Sequence, residues 1–174
     1  TIQIDGLTGT SLQGDYGFAE VLRMMGATVI KTPHHTIVKR DRGDAPLRGI
    51  DIDLHHLSDT VMTLAAIAPL CVGPTTIRNI ANIRIKETDR LAATVTELRR
   101  LGQEVTHGDD WLRIDPRPLT SAAIECYADH RMAMSFGILG AIAGGIDGGI
   151  TITDPACTAK TYPGFWNDLE RFRG

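Results

Sequence analysis

Lys86, Glu87 and Arg90 crowd together at or just before the start of a segment with helical periodicity. From Thr88 to Leu101 the apolar residues Leu91, Val95 and Leu98 fall at spacings of four and three, one stripe of a helix. The far end of this helix is conventional: Arg99 and Arg100 sit in its last turn, where the carbonyl end is partly negative, and Gly102 supplies a left-handed stop. The near end is loaded the wrong way, because the free N–H groups of a first turn already form a positive pole that favours Asp or Glu. The loading recurs. Asp129, His130 and Arg131 open another long helical segment, and Lys160 precedes the last one by three residues. Cations at helix N-termini that point the same way would build one pocket for an anion; the alternative is that Lys86, Arg90 and Arg131 are solvated surface charges, each at a small cost against the dipole. The acids among them have two readings. Asp59, Glu87 and Asp129 can cap helix starts or, beside clustered cations, move a proton, and their spacing does not choose between these.

Elements must bring these residues together, and their order suggests how. A strand over Thr1 to Asp5 leads to a helix over Asp15 to Met25 closed by Gly26, then to strands at Thr28 to Lys31, Thr36 to Arg40 and Gly49 to Leu54. Asp59 opens a helix to Cys71, and Pro74 to Ile80 is a strand. After the Thr88 helix come a hairpin, Glu104 to Thr106 with Trp111 to Asp115, and a strand at Ala123 to Tyr127. A helix over Asp129 to Ala143 follows, then a GGIDGG turn, a strand over Ile150 to Thr153 and a last helix from Pro163 through Phe172. The chain repeats itself. MMGATV matches RLGQEV 76 residues later, SDTVMT matches ADHRMA 70 residues later, and Lys86 matches Lys160 at 74. One βαβ-type unit of about seventy residues is expected to occur about twice, with partial units at both ends and insertions in the loops accounting for the unequal offsets.

The 174 residues allow one ordinary domain, and 43% hydrophobic with 22% charged residues suits a globular chain able to bury a core. A formal net charge of −3 gives no general attraction to nucleic acid or to an anionic membrane, so neither is expected as a partner and anion binding must be local. No apolar run reaches about 18 residues and no charged-then-apolar leader opens the chain, so a cytoplasmic protein is expected. The chain begins at Thr1 rather than Met, so a processed product or, in preference, an excised piece of a longer protein is expected. Cys71, Cys126 and Cys157, odd in number and irregular in spacing, argue against a disulfide framework and a cysteine zinc site.

IKETDRL, ADHRMAM and DPACTAKTYP, with SLQGD and SDTVMT upstream, closely resemble the 5-enolpyruvylshikimate-3-phosphate synthase family of enolpyruvyl transferases, over nearly the whole chain but only the C-terminal part of the family's sequence. The resemblance implies an α/β (α+β) fold of βαβαββ units around a pseudo-threefold axis, the chain being most of one domain of a two-domain inverse α/β barrel. It implies shikimate 3-phosphate and phosphoenolpyruvate as substrates, no cofactor and no metal, and a missing N-terminal domain as partner. Carried over by motif, Asp59 contacts the reacting hydroxyl as a candidate base, and Glu87 is the proton-transfer carboxylate near the enol's methylene carbon. Asn82 and Lys86 hold shikimate 3-phosphate; Arg90, Arg131 and Lys160 clamp phosphoenolpyruvate, flanked by Asp129 and His130. Tyr162 stands where relatives often have Phe and is expected to pack in the core or cleft wall. Because the rest of the site is absent, the chain alone is expected to show no turnover.

Other residues have plainer readings. The pairs His34–His35 and His55–His56 fit no helix-spaced ligand pattern and are expected in loops or at strand edges. Cys157 is expected to be inert, and Met132, Met134, Phe136, Trp111 and Trp166 to serve packing. The alternatives are a non-catalytic phosphate-binding half-protein and a relative of the UDP-N-acetylglucosamine enolpyruvyl transferases; KETDR with TAKTYP argues against the latter. An RNA 3′-phosphate cyclase relative would need a nucleotide-handling histidine and a basic strip that the sequence lacks.

Overall fold

The computed structural model of this protein describes residues 1–41, 43–143 and 146–172. The chain opens with β1 (Ile2–Asp5), α1 (Phe18–Met25), β2 (Thr28–Lys31) and β3 (His35–Lys39), whose strands form an antiparallel sheet in the order β1-β3-β2. Six elements follow: β4 (Asp51–Asp53), α2 (Val61–Ile67), β5 (Thr75–Arg78), α3 (Arg90–Arg100), β6 (Glu104–His107) and β7 (Leu112–Asp115). Their sheet has the order β4-β5-β7-β6, with β4 parallel to β5 and the other pairs antiparallel. Last come β8 (Ala122–Ile124), α4 (His130–Ile142), β9 (Ile150–Ile152) and α5 (Phe165–Arg171), with β8 parallel to β9.

The internal repeat takes definite form here. The middle six elements are one complete βαβαββ unit. The first four copy its second half, since β1-β3-β2 reproduces β5-β7-β6, and the last four copy its first half, since β8 and β9 pair as β4 and β5 do. The two offsets therefore compare different halves of different units: 76 joins the first pair of second halves, and 70 joins the following pair of first halves. Their difference lies mostly in loop length, as expected, because the connection from Lys39 of β3 to Asp51 of β4 is longer than that from Asp115 of β7 to Ala122 of β8. The caps agree, for Gly26 and Gly102 close α1 and α3 in the same left-handed conformation, φ +112° and +82°.

Packing follows the apolar pattern. Leu91, Val95 and Leu98 of α3 are all buried, as their spacing requires, and they join Ile77, Val105, Leu112 and Ile114 from the inward face of the four-stranded sheet. The helix α2 is buried on nearly every side through Val61, Met62, Leu64, Ala65 and Ala66, the mark of a central helix. It packs on α4, where Thr63 and Ser135 hydroxyls meet at 3.2 Å. Met132 and Phe136 are buried as expected, and Trp166 lies over Gly137, where any Cβ would meet its ring at 2.7 Å.

Several boundaries differ. The expected helices from Asp15 and Asp59 begin as 3-10 turns, Gly14–Gly17 and His55–Thr60, and become α-helical only at Phe18 and Val61. The second helix stops at Ile67, because Pro69 supplies no N–H for a continuing ladder. The expected Thr88 helix starts at Arg90, capped by Asp89, whose Oδ1 accepts the Ala92 N–H at 3.0 Å. The last helix starts at Phe165 and not at Pro163. In the GGIDGG turn, Gly144 and Gly145 lie outside the described residues, while Gly148 and Gly149 take positive φ.

Candidate active site

The four cations predicted from sequence do meet, but each arrives with a carboxylate. Lys86 follows a 3-10 turn, Ala81–Ile85, after β5; Lys160 ends the equivalent turn, Pro155–Lys160, after β9. Lys160 is thus no part of the α5 N-terminus. Arg90 and Arg131 lie in the first turns of α3 and α4. Together with Asp59, Glu87, His130 and Thr161 they line an open cleft of about 310 Å³.

Arg90 is the hub. It is only 1% exposed, and its guanidinium reaches three carboxylates: Nε to Asp129 Oδ2 at 2.7 Å, Nη1 to Asp59 Oδ1 at 3.0 Å and Nη2 to Glu87 Oε2 at 2.7 Å. Buried beneath these carboxylates, it forms the floor of the cleft, whereas Lys160 is paired but exposed. Arg131 Nη2 binds Asp59 Oδ2 at 2.9 Å, with Asp15 Oδ2 at 3.8 Å from Nη1. Lys160 Nζ donates to Glu87 Oε1 at 3.0 Å, and Lys86 Nζ lies 3.7 Å from Asp59. The hydrogen bond from Lys160, with one from the backbone, holds the Glu87 carboxyl down at about 2, so it is ionised.

The misplaced charge at the helix starts is therefore already balanced. Asp89 caps α3, and the fully buried Asp129 caps α4 through the Arg131 N–H at 2.9 Å while gripping Arg90. Asp59 caps nothing: α2 has no side-chain cap, and its carboxylate, 32% exposed, faces the cleft. His130, beside Asp129 and nearly buried, has its pKa lowered by burial, and its Nδ1 has no protein partner among the described residues. Asn82 stands apart from the cleft lining. Its amide nitrogen reaches the His55 carbonyl at 3.4 Å, and its Oδ1 is buried without a protein partner among the described residues.

Sequence reasoning missed Asp15, quoted in SLQGD but given no role, and Asp89, whose place before Arg90 was itself a cap signal. Tyr162 is not in the core or the cleft wall. It is 44% exposed, donates to Asp168 and meets the Phe165 ring edge-on, so the extra hydroxyl relative to Phe is spent on α5. Cys157 is partly buried, with burial raising its thiol to about 11, which favours the inert form. Among the described residues no helix is long and apolar enough to cross a membrane.

The chain is similar to known proteins along nearly all its length. Residues 1–169 match the family described as EPSP synthase (3-phosphoshikimate 1-carboxyvinyltransferase). It is 48% identical over 165 residues to the 3-phosphoshikimate 1-carboxyvinyltransferase of Nostoc punctiforme, covering 95% of this chain and 37% of that one. It is 47% identical over 172 residues to the enzyme of that name from Yersinia pestis, covering 98% and 38%. Among solved structures it resembles the EPSP synthase of Acinetobacter baumannii, with TM-score 0.74 and 26% identity over 99% of this chain and 40% of that one. It also resembles the enolpyruvyl transferase NikO of Streptomyces tendae, with TM-score 0.62 and 25% identity over 87% and 34%. The chain thus spans less than two-fifths of the length of these curated relatives. The match over residues 1–169 and the shared α/β fold show that this chain belongs to the EPSP synthase family of enolpyruvyl transferases.

Proposed function

We propose that this chain forms part of a 3-phosphoshikimate 1-carboxyvinyltransferase acting in the cytoplasm. In it, the 5-hydroxyl of shikimate 3-phosphate displaces phosphate from phosphoenolpyruvate. On this reading residues 1–174 are a single incomplete domain, and the remaining polypeptide closes the cleft and supplies the other substrate contacts. The observation that carries it is the cleft where Lys86, Arg131 and Lys160 surround Asp59 and Glu87 over an Arg90 floor. Phosphoenolpyruvate bears a phosphate of about −1.5 to −2 charge beside a carboxylate, and guanidinium groups hold such oxygens two at a time.

The chemistry follows from how an anion redistributes these pairs. Phosphoenolpyruvate entering the cleft draws Arg131 and Lys160 from the carboxylates that hold them in its absence. Asp59, released by Arg131, takes the 5-hydroxyl proton as that oxygen bonds to C2 of the enol. Glu87, losing Lys160 and facing a negative substrate, rises from about 2 and can hold a proton for C3. When phosphate leaves the tetrahedral intermediate, the C3 proton returns to Glu87 and the departing phosphate takes the Asp59 proton, which balances the reaction. Lys86 suits the shikimate phosphate, and Asn82, assigned to the same substrate by resemblance, lies beyond the cleft lining with its Oδ1 buried and without a protein partner among the described residues. Asp129 and His130 flank them.

The test mixes this chain with the remaining polypeptide and follows phosphate release from both substrates, then repeats it with Arg131→Ala and Glu87→Ala. Release that both substitutions abolish, and that the chain alone does not produce, supports the reading. An associated, folded pair that binds phosphoenolpyruvate and releases no phosphate would make the non-catalytic binding half-protein the better account.

A further inference from the structure

One face of α3 carries three buried polar side chains that reach α4 or the chain just before it. Arg90 grips Asp129, Thr94 donates to the Met132 sulfur at 3.6 Å, and the Glu97 carboxylate, fully buried, receives two donors from the chain before α4. The Tyr127 hydroxyl donates to Oε1 at 2.7 Å and the Glu125 backbone N–H to Oε2 at 3.2 Å; Arg100 Nε lies 3.2 Å from the same Oε2. A buried carboxylate so fully matched has a purpose beyond filling space, since an apolar side chain would pack there without a desolvation cost.

The backbone at and just after the Tyr127 donor is unusual. Tyr127 and Ala128 take φ of +56° and +54°, the left-handed region that residues with a Cβ avoid. Two such residues in succession bend the chain so that Asp129, extended, turns inward to cap α4 and meet Arg90. Such strain persists only where the surroundings hold it. Neither position is glycine. Glu125 Oε1 accepts the Cys126 and Tyr127 N–H groups at 3.1 and 3.2 Å, and Glu97 holds the same arm of the elbow through the Tyr127 hydroxyl and the Glu125 N–H.

We infer that Glu97 is a positioning residue of the anion site: by holding the Tyr127–Ala128 elbow it seats Asp129 against Arg90 and sets His130 and Arg131 in the cleft. Glu97 itself is absent from the cleft lining and acts only through that corner. The inference rests on the transferase reading for its functional consequence, and on geometry alone for its structural part.

The test uses the full-length polypeptide that contains this chain, with Glu97→Ala, Glu97→Gln and Tyr127→Phe. Amide hydrogen exchange is read first, without substrate. In Glu97→Ala the Asp129 and Arg131 amides, bonded to Cys126 O and Asp129 Oδ1, exchange at least about tenfold faster, while those of α2 keep their protection. In steady-state turnover the KM for phosphoenolpyruvate rises about tenfold in Glu97→Ala and less in Tyr127→Phe, with the KM for shikimate 3-phosphate within about twofold of the parent. Glu97→Gln, which keeps one acceptor oxygen, falls between Glu97→Ala and the parent. A merely destabilised protein loses active molecules, which lowers kcat and leaves both KM values alone. Unchanged exchange at Asp129 and Arg131, or KM values that stay put or rise equally, overturns the inference. A parent enzyme without turnover defeats the transferase reading instead, and the exchange result then decides by itself whether Glu97 holds the corner.

Discussion

Asp59 and Asp129 occupy equivalent places 70 residues apart, each just before a helix of the repeated unit, and they do opposite things. Asp129 is fully buried, caps α4 and locks Arg90, while Asp59 caps nothing and faces the cleft between Arg90, Arg131 and Lys86. The difference lies in the approach to each helix. The chain reaches Asp59 through the 3-10 turn His55–Thr60, with Leu57 at φ −122°, and reaches Asp129 through the left-handed pair Tyr127–Ala128. A repeat can thus keep a residue type and divide its labour by changing two backbone angles upstream: one copy holds the site together, and the other faces the cleft among its cations.

Removing the structural copy has the largest expected effect. Asp129→Ala strands the buried Arg90 charge and uncaps α4, so it should destabilise the full-length polypeptide by about 3–5 kcal/mol in urea denaturation. Asp59→Ala should do the reverse. Stability stays within about 1 kcal/mol, because its partners other than Arg90 can turn to water, while turnover falls by about a hundredfold or more. A destabilisation by Asp59→Ala equal to that of Asp129→Ala would erase the division of labour.

The cleft carboxylates also make acid sensitivity predictable. Glu87 sits at about 2 when folded against an ordinary 4.5, so its contribution to stability is complete above about pH 4.5 and lost as pH falls towards 2. With discount for solvent screening this is about 1 kcal/mol. Denaturation of the parent and of Lys160→Met should therefore differ by that amount near pH 6 and converge in the acid limb. A gap that persists at pH 2 points to a different source.

The smallest effect tests the elbow directly. Ala128→Gly relieves a left-handed alanine and should stabilise by up to about 1 kcal/mol, whereas the equivalent Ser58→Gly relieves nothing and should destabilise by about 0.5 kcal/mol. Melting temperatures that move the same way in both would mean that the two approaches are not strained differently.

Much of this was legible along the chain. The stripe Leu91, Val95 and Leu98, the glycine stops at Gly26 and Gly102, and the repeat all report local geometry, which periodicity and cap residues encode. The cation cluster was legible too, since charge against a helix dipole is a local anomaly. The fate of Arg90 was not. Expected beside Arg131 and Lys160 as a phosphoenolpyruvate clamp, it is buried beneath three carboxylates that stand 3, 31 and 39 residues away. Tyr162 misled in the same way, because whether a ring packs inward or reaches Asp168 depends on how α5 docks.

The sequence by itself determined the family, the alternating elements and which residues are charged at the site, because these depend on neighbours within a few positions. Only the tertiary structure decided which acid is a cap and which faces the cleft, which cation is floor and which is reachable, and that Glu97 supports the corner. Those choices depend on burial and on distances across separate helices. An ion pair's worth is set by how far both partners are removed from water, and no local pattern carries that quantity.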